Sequence, residues 1–288
     1  MKNNLICYAN AKVNLHLEVL GKREDGYHNI SSVFRSVSLK DRLEITLNCS
    51  KEILVISENT EIAKEDNLVF LAAKRFFEAT GLPLGAKINL EKNIPLSAGL
   101  GGGSADAAAT LVALNKMTDF PLCDEKLEKI ALELGADVPF CLYGGTKKAE
   151  GLGEKLTDIT PEKEAFVVLI KHHKKQSTGY MYGLVDAAPP REKVTEKIVL
   201  ALESGNDTEL KKYARNDFLS VSKDKEEQGQ IIEVLYEMGA FLAGLSGSGP
   251  TVFGLFDKEP SKDMVLELKK LYKEVYLCKT AVCGIEFE

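Results

Sequence analysis

The chain has 288 residues, 44% of them apolar and 28% charged, with a net charge of −6 at pH 7. That length suits one large domain or two packed ones with a sizeable core, and the negative balance argues against a polyanion such as nucleic acid as main partner while leaving room for a basic patch around a small phosphate. No apolar run approaches the roughly 18 residues that a membrane span requires, so no membrane partner is expected. The opening MKNNLICYANAKVNL lacks the basic-then-apolar order of a secretory leader. Cys7, Cys49, Cys123, Cys141, Cys278 and Cys283 form no C-x-x-C pair. Reduced, mostly buried thiols in a cytoplasmic protein are expected, not disulfides or a zinc site.

Val13, Leu15, Leu17 and Val19 alternate with Asn14, His16 and Glu18, the two-residue period of a half-buried strand. Lys12 is in phase with the polar set, so Lys12, Asn14, His16 and Glu18 are expected on one polar face. Asp25-Gly26 marks a turn within 21–28, and strands are expected over 30–39 and 43–47. A helix follows Asp66, capped by Asp66 or Asn67. It carries Leu68, Leu71, Ala72 and Phe76 on its apolar stripe and stops at Gly81. Ile88 and Leu90 mark a short strand. An Ala-rich helix is expected over about 104–115, and another, capped by Asp124, ends at Gly135. Further on, 166–170, 251–256 and 275–282 read as strands, and Ile231, Leu235 and Met238 as a helix. Strands and helices alternate too irregularly for a doubly wound parallel sheet. The expectation is an α+β fold of two lobes, 1–155 and 156–288, with a cleft between them and a boundary punctuated by Gly151-Leu152-Gly153 and Pro161.

The most informative segment is PLSAGLGGGSADAAA, residues 95–109, in which four of the five residues 99–103 are glycine. Such a stretch forms poor helix and poor strand, but it lets successive backbone N–H groups converge on one anion. The helix beginning nearby adds its unpaired first-turn amides and the positive end of its dipole. Ser104 adds a hydroxyl for a phosphate or a metal ion. The dinucleotide fingerprint would need glycine at 104, where Ser104 stands, and the P-loop would need a lysine before that serine. A second cluster, GLSGSGP at 244–250, is either a tight turn or a second wall over the same phosphates.

PLSAGLGGGSADAAA resembles the phosphate-binding motif of the GHMP kinases, and LSGSGPTVFGLF (245–256) resembles their C-terminal motif. AKVNLHLEVLGKREDGYH (11–28), GADVPFCLYGG (135–145) and Asn216-Asp217 are similar to a narrower branch acting in non-mevalonate isoprenoid biosynthesis. The resemblance implies the two-lobed GHMP fold, with ATP and a cytidylated methylerythritol meeting in the cleft. It implies transfer of the γ-phosphoryl group to the 2-hydroxyl of that small-molecule substrate. Lys12 and Asp137 fall on the catalytic pair. Pro95, Leu96, Ser97, Ala98, Gly99, Leu100, Gly101, Gly102, Gly103, Ser104 and Ala105 fall on the ATP phosphate loop, and Asn67 and Lys92 near the adenine site. Asn14, Tyr27, His28 and Asp137 fall on the cytidyl-substrate site, with Tyr182 matching an aromatic that stacks on cytosine. Mg2+ is expected to arrive with ATP, held mainly by phosphates, with no protein ligand assigned. A monomer or weak homodimer is expected.

From the residues alone several roles stay open. Asp137 can take the proton of an attacking hydroxyl or cap a short helix before Val138-Pro139. Lys12 can stabilise charge on the transferred group or stand as a solvated edge charge. Tyr27 and His28 offer a stacking face and a hydrogen-bonding edge for a pyrimidine, or belong to a turn with a half-buried aromatic.

Overall fold

The computed structural model describes residues 3–57, 66–160, 163–172, 174–189 and 191–288. In chain order its elements are β1 (Asn4–Lys22), β2 (His28–Asn48), β3 (Ile53–Ile56), α1 (Leu68–Thr80), β4 (Gly85–Glu91), α2 (Gly102–Met117), α3 (Asp124–Leu134), α4 (Val138–Tyr143), β5 (Thr146–Gly151) and β6 (Lys155–Asp158). There follow β7 (Phe166–Lys171), α5 (Thr178–Asp186), α6 (Thr195–Glu203), α7 (Asp207–Tyr213), α8 (Asp217–Val221), α9 (Lys225–Glu237), β8 (Leu242–Leu245), β9 (Thr251–Phe256), α10 (Lys262–Leu271), β10 (Glu274–Lys279) and β11 (Ile285–Phe287). Among the described residues these make an α+β fold with a seven-stranded sheet, whose main path runs β11-β1-β2-β4-β3, and a four-stranded sheet ordered β10-β7-β9-β8. The chain's last strand thus returns to pair with β1. Pro161 lies outside the described residues.

The two strands expected at 30–39 and 43–47 are one. β2 pairs with β1 along nearly its whole length, but the register jumps from Asn10 opposite Lys40 to Ala11 opposite Val37. Ser38 and Leu39 therefore have no opposite residue on β1, and the bulge bends β2 without ending it. One half of β2 pairs with β4 and the other with β5.

The first lobe's core lies between this sheet and α1–α4. α2 runs through it with Ala105, Ala107, Ala108, Ala109 and Ala113 fully buried, small side chains that let neighbouring elements approach its axis closely. It starts at Gly102, earlier than expected, because Gly101 takes a left-handed φ of 70° just before it. Asn67, not Asp66, caps α1, its side chain accepting from the N–H groups of Val69 and Phe70. α3 is capped at Cys123, with Asp124 in the first turn. β10 stops at Lys279, short of Val282. All six cysteines are free, but only Cys7 and Cys141 are buried; Cys49 and Cys123 are exposed. No helix among the described residues is long and apolar enough to cross a membrane.

The polar face of β1 is not solvated. Lys12, Asn14, His16 and Glu18 are each no more than 4% exposed: Gly101 and Phe34 lie against Lys12, and the second lobe lies across Asn14, His16 and Glu18. A buried carboxylate must be paired, and Glu18 accepts from Val194 N (2.6 Å), Thr195 Oγ1 (2.8 Å) and Arg215 Nη2 (2.8 Å). His16 Nδ1 accepts the Arg215 N–H at 3.2 Å, and Asp217 accepts the Val19 N–H at 2.9 Å. Burial alone would raise the Glu18 pKa; the hydrogen bonds with His16, Val194 and Thr195 outweigh it and lower the value from 4.5 to about 2. A depressed carboxylate contributes stability that is complete above the unfolded pKa and lost as pH falls through the folded one. Glu18→Gln is therefore expected to melt lower at neutral pH and to lose less between pH 4.5 and about 2 than the parent. Parallel acid melting profiles for the two proteins would exclude the linkage.

Candidate active site

The lobes enclose a cleft of about 410 Å³ whose floor is the glycine loop. Ala98 and Leu100 are buried anchors, 2% and 1% exposed, and the intervening and following glycines take positive φ of 78° at Gly99 and 70° at Gly101. The loop is tied to β1 by the Lys12 N–H, which Leu100 O accepts at 2.9 Å. Ala105 N–H bonds to Gly101 O at 2.8 Å, so the amides of Gly102, Gly103 and Ser104 precede the helix's own bonding pattern. No side chain caps this helix. Its first turn is a set of donors open to an anion.

The second glycine cluster closes on the first. Ser246 Oγ donates to Gly99 O (2.8 Å), Thr251 N–H reaches Ala98 O (3.3 Å), and Gly247 and Ser248 line the cleft. Asn216 fixes this wall: its Nδ2 donates to the carbonyls of Leu245 (2.7 Å) and Gly247 (2.8 Å), while its Oδ1 caps α8 by accepting from Phe218 N–H (2.9 Å).

Facing the loops stands an ion pair. Lys12 Nζ lies 3.2 Å from Asp137 Oδ2, donates to Asn14 Oδ1 at 2.9 Å, and sits 4.6 Å from the centre of the Phe34 ring. Asn14 is oriented in turn by Nδ2 donating to Ser32 Oγ at 3.0 Å. The Lys12 stem passes so close to Gly101 that a Cβ there would meet its Cγ at 2.9 Å. Asp137 occupies the first position before α4, yet its side chain makes no capping bond. The carboxylate, 35% exposed, is directed to Lys12 and the cleft.

Of the sequence-selected residues, Lys12, Asn14, Lys92, Pro95 to Ser104, Asp137 and Tyr182 line this one cleft. Ala105 lies behind it in the core. Asn67 is engaged in its cap, although the adjoining Leu68 reaches the cleft wall. Lys92 is bound by two carboxylates, Asp41 and Asp106. Tyr27 is not part of the wall; it sits on the turn, 64% exposed. His28 is buried behind Tyr182, the rings stacked at 4.4 Å and 11°, and its Nε2 meets the Asp186 carboxylate at 2.9 Å. Tyr182 also packs edge-on against Phe218, and burial with the nearby Asp137 charge pushes its hydroxyl up to about 12. Lys175, which the sequence did not single out, also lines the cleft, without an ion-pair partner among the described residues. The desolvating cleft, then the charge of Lys12, lower its pKa. A lysine inside KHHKKQ gives no periodic signal that would single it out.

Donors converging on an anion, beside a carboxylate able to take a hydroxyl proton, are what a phosphotransferase acting on an alcohol requires. The family models agree: GHMP kinases N terminal domain matches residues 67–145, and GHMP kinases C terminal matches 198–274. Homoserine kinase from Cytophaga hutchinsonii shares the fold, with a TM-score of 0.76 at 19% identity over 100% of this chain and 98% of its own.

The likeness narrows further. 4-Diphosphocytidyl-2-C-methyl-D-erythritol kinase of Caldanaerobacter subterraneus subsp. tengcongensis is 43% identical over 282 residues, covering 96% of this chain and 97% of that protein. Its namesake in Thermoanaerobacter pseudethanolicus is 39% identical over 281 residues, covering 96% of each. A crystal structure of 4-(cytidine 5'-diphospho)-2C-methyl-D-erythritol kinase superposes with a TM-score of 0.78 at 31% identity, covering 96% and 99%. The chain belongs to the GHMP kinase family and, within it, to the family of 4-diphosphocytidyl-2-C-methyl-D-erythritol kinases.

Proposed function

We propose that the protein transfers the γ-phosphoryl group of ATP to the 2-hydroxyl of 4-diphosphocytidyl-2-C-methyl-D-erythritol, giving the 2-phosphate and ADP, a step of non-mevalonate isoprenoid biosynthesis. The observation that carries this reading is the Lys12–Asp137 pair, 3.2 Å apart, standing in the same cleft as the glycine cradle. The relatives supply the acceptor's name.

The amides of 99–104 hold the phosphates, and Leu68 at the start of α1 supports an adenine position beside that helix. Asp137 receives the proton of the acceptor hydroxyl as its oxygen attacks the γ-phosphorus. The bond from that phosphorus to the β-phosphate oxygen breaks, and ADP leaves. Lys12 stabilises the charge that gathers on the transferred group. Asn14 fixes the ammonium, and Tyr182 offers a face to the cytosine. His28, held by Asp186 and stacked on Tyr182, joins the turn carrying Tyr27 to this wall. Among the described residues no three His, Cys, Asp or Glu side chains are grouped to hold a metal. The Ser104 hydroxyl, at the start of α2 and on the cleft wall, would be a protein oxygen for a Mg2+ ion whose other ligands are phosphate and water. Such an ion, when bound, neutralises phosphate charge. The unpaired cysteines support a cytoplasmic setting, and the assembly proposed is a monomer or weak homodimer.

The test is ADP release by the purified protein with MgATP and each of three alcohols: the cytidylated methylerythritol, mevalonate and homoserine. Turnover is expected with the first alone. Turnover of mevalonate would overturn the acceptor assignment, and ATP binding with no turnover of any alcohol would make the protein a nucleotide-binding one instead.

A further inference from the structure

The loop that cradles the phosphates is rich in glycine, so its amides converge only if both its ends are fixed. One end leaves β4 at Glu91 and the other enters α2 at Gly102. Beneath them lies a buried cluster that the catalytic reading does not use. Asp41, 0% exposed beside the β2 bulge, accepts the backbone N–H groups of Asn93 (2.6 Å) and Ile94 (2.8 Å) on one carboxylate oxygen. Its other oxygen binds the ammonium of Lys92. The same ammonium donates to Asp106 Oδ2, in the second turn of α2, at 2.6 Å. Asp106 is 2% exposed and the Lys92 side chain 6%. A Cβ added at Gly102 would lie 3.4 Å from Lys92 Nζ and 2.9 Å from Ile94 Cγ2, so the ammonium sits directly under the start of α2.

Two carboxylates here share one ammonium, and Asp106 Oδ1 has no hydrogen-bond partner among the described residues. The charge of Lys92 is consumed inside the protein. This separates it from a phosphate-binding lysine, which keeps its ammonium for the ligand.

We propose that the Asp41–Lys92–Asp106 triad is the clamp that fixes both ends of the phosphate loop, and that Lys92 serves nucleotide binding as a positioning residue, not as a phosphate ligand. The proposal rests on reading the cleft as a nucleotide site, and not on the identity of the acceptor. Desolvation, together with the Asp41 carboxylate, raises the Asp106 pKa. An amide at 106 is therefore a close substitute that keeps an oxygen for Lys92.

The experiment is calorimetric binding of ATP to the full chain and to Asp41→Asn, Asp106→Asn and Asp106→Ala, with a melting curve for each. Asp41 lines no part of the cleft, yet Asp41→Asn is expected to weaken ATP binding about tenfold or more, as is Asp106→Ala. Asp106→Asn is expected to stay within about threefold of the parent, because it keeps the bond to Lys92. In turnover the weak variants should show a raised KM for ATP with kcat at saturation little changed. A phosphate-ligand Lys92 makes the opposite forecast: Asp41→Asn and Asp106→Ala release the ammonium and tighten ATP binding. Unchanged or tighter binding in those two variants overturns the clamp, as does equal weakening by Asp106→Asn and Asp106→Ala. If Asp41→Asn fails to fold, the two Asp106 variants decide alone. A parent protein that binds no ATP overturns the nucleotide reading itself, before any variant is compared.

Discussion

Asp137→Ala is expected to lower kcat by about 10²–10⁴-fold, the range associated with loss of a positioned general base, while affinity for ATP changes only a few-fold. Asp137 makes no cap for α4 and its carboxylate is 35% exposed, so its removal costs no cap bond, and the stability it does cost comes from leaving the buried Lys12 ammonium without its partner. What it removes is the proton's destination and the anion beside Lys12. Lys12→Met should produce a comparable fall, accompanied by some loss of stability, because Lys12 is buried and packed over Phe34 and Gly101. Since the two groups act as a pair, the double variant should be little slower than the worse single one. Initial rates of ADP release at saturating ATP and acceptor check all three. An Asp137→Asn protein with most of the parental rate would show instead that the residue orients the hydroxyl, as a loose phosphoryl-transfer transition state allows.

The chemistry of this site is unusually local, which is why so much of it is legible in the sequence. A glycine run before an Ala-rich helix dictates an amide cradle whatever surrounds it, and the phase of Lys12 with Asn14 puts both on one face of one strand. The two-residue period of β1 shows that the face is polar; it carries no information on what covers it. That cover comes from the start of α6 and from Arg215, 177 and 197 residues away in sequence, hence the sealed network around Glu18. Likewise the partners of Lys92 are 51 and 14 residues distant, and no spacing rule joins them. The continuity of β2 was hidden for a different reason. Lys40-Asp41-Arg42 reads as a polar break, whereas the strand runs through it in register with β1, just past the bulge at Ser38 and Leu39, and buries Asp41. Tyr27 shows the limit for loops: residue type suggests stacking on a base, but only the path of the turn decides whether the ring reaches the cleft.

Gly99→Ala is expected to damage stability and nucleotide binding together, because the two glycine loops meet at this residue. Its φ of 78° is already costly for a residue with a Cβ, and the added carbon would lie 2.4 Å from Ser246 O and 2.9 Å from Gly249 O. Both obstacles are backbone atoms, so no rotamer change relieves them. The loops must part, and the Ser246 Oγ to Gly99 O bond is lost with them. A loss of about 3 kcal/mol or more is expected from combined strain and overpacking, with ATP affinity down about a hundredfold as the converging donors separate. Gly26→Ala is the control. It has a similar φ of 87° but nothing within 4 Å of the added carbon, so it should cost only the left-handed penalty of about 1–2 kcal/mol and leave ATP binding alone. Melting midpoints and calorimetric ATP titrations of the two variants separate conformational strain from closure of the cleft. If Gly99→Ala melts no lower than Gly26→Ala and binds ATP as the parent does, the second loop is not a wall of the phosphate site. If it differs in both, the two glycine clusters, separated by most of the second lobe in sequence, form a single anion-binding device.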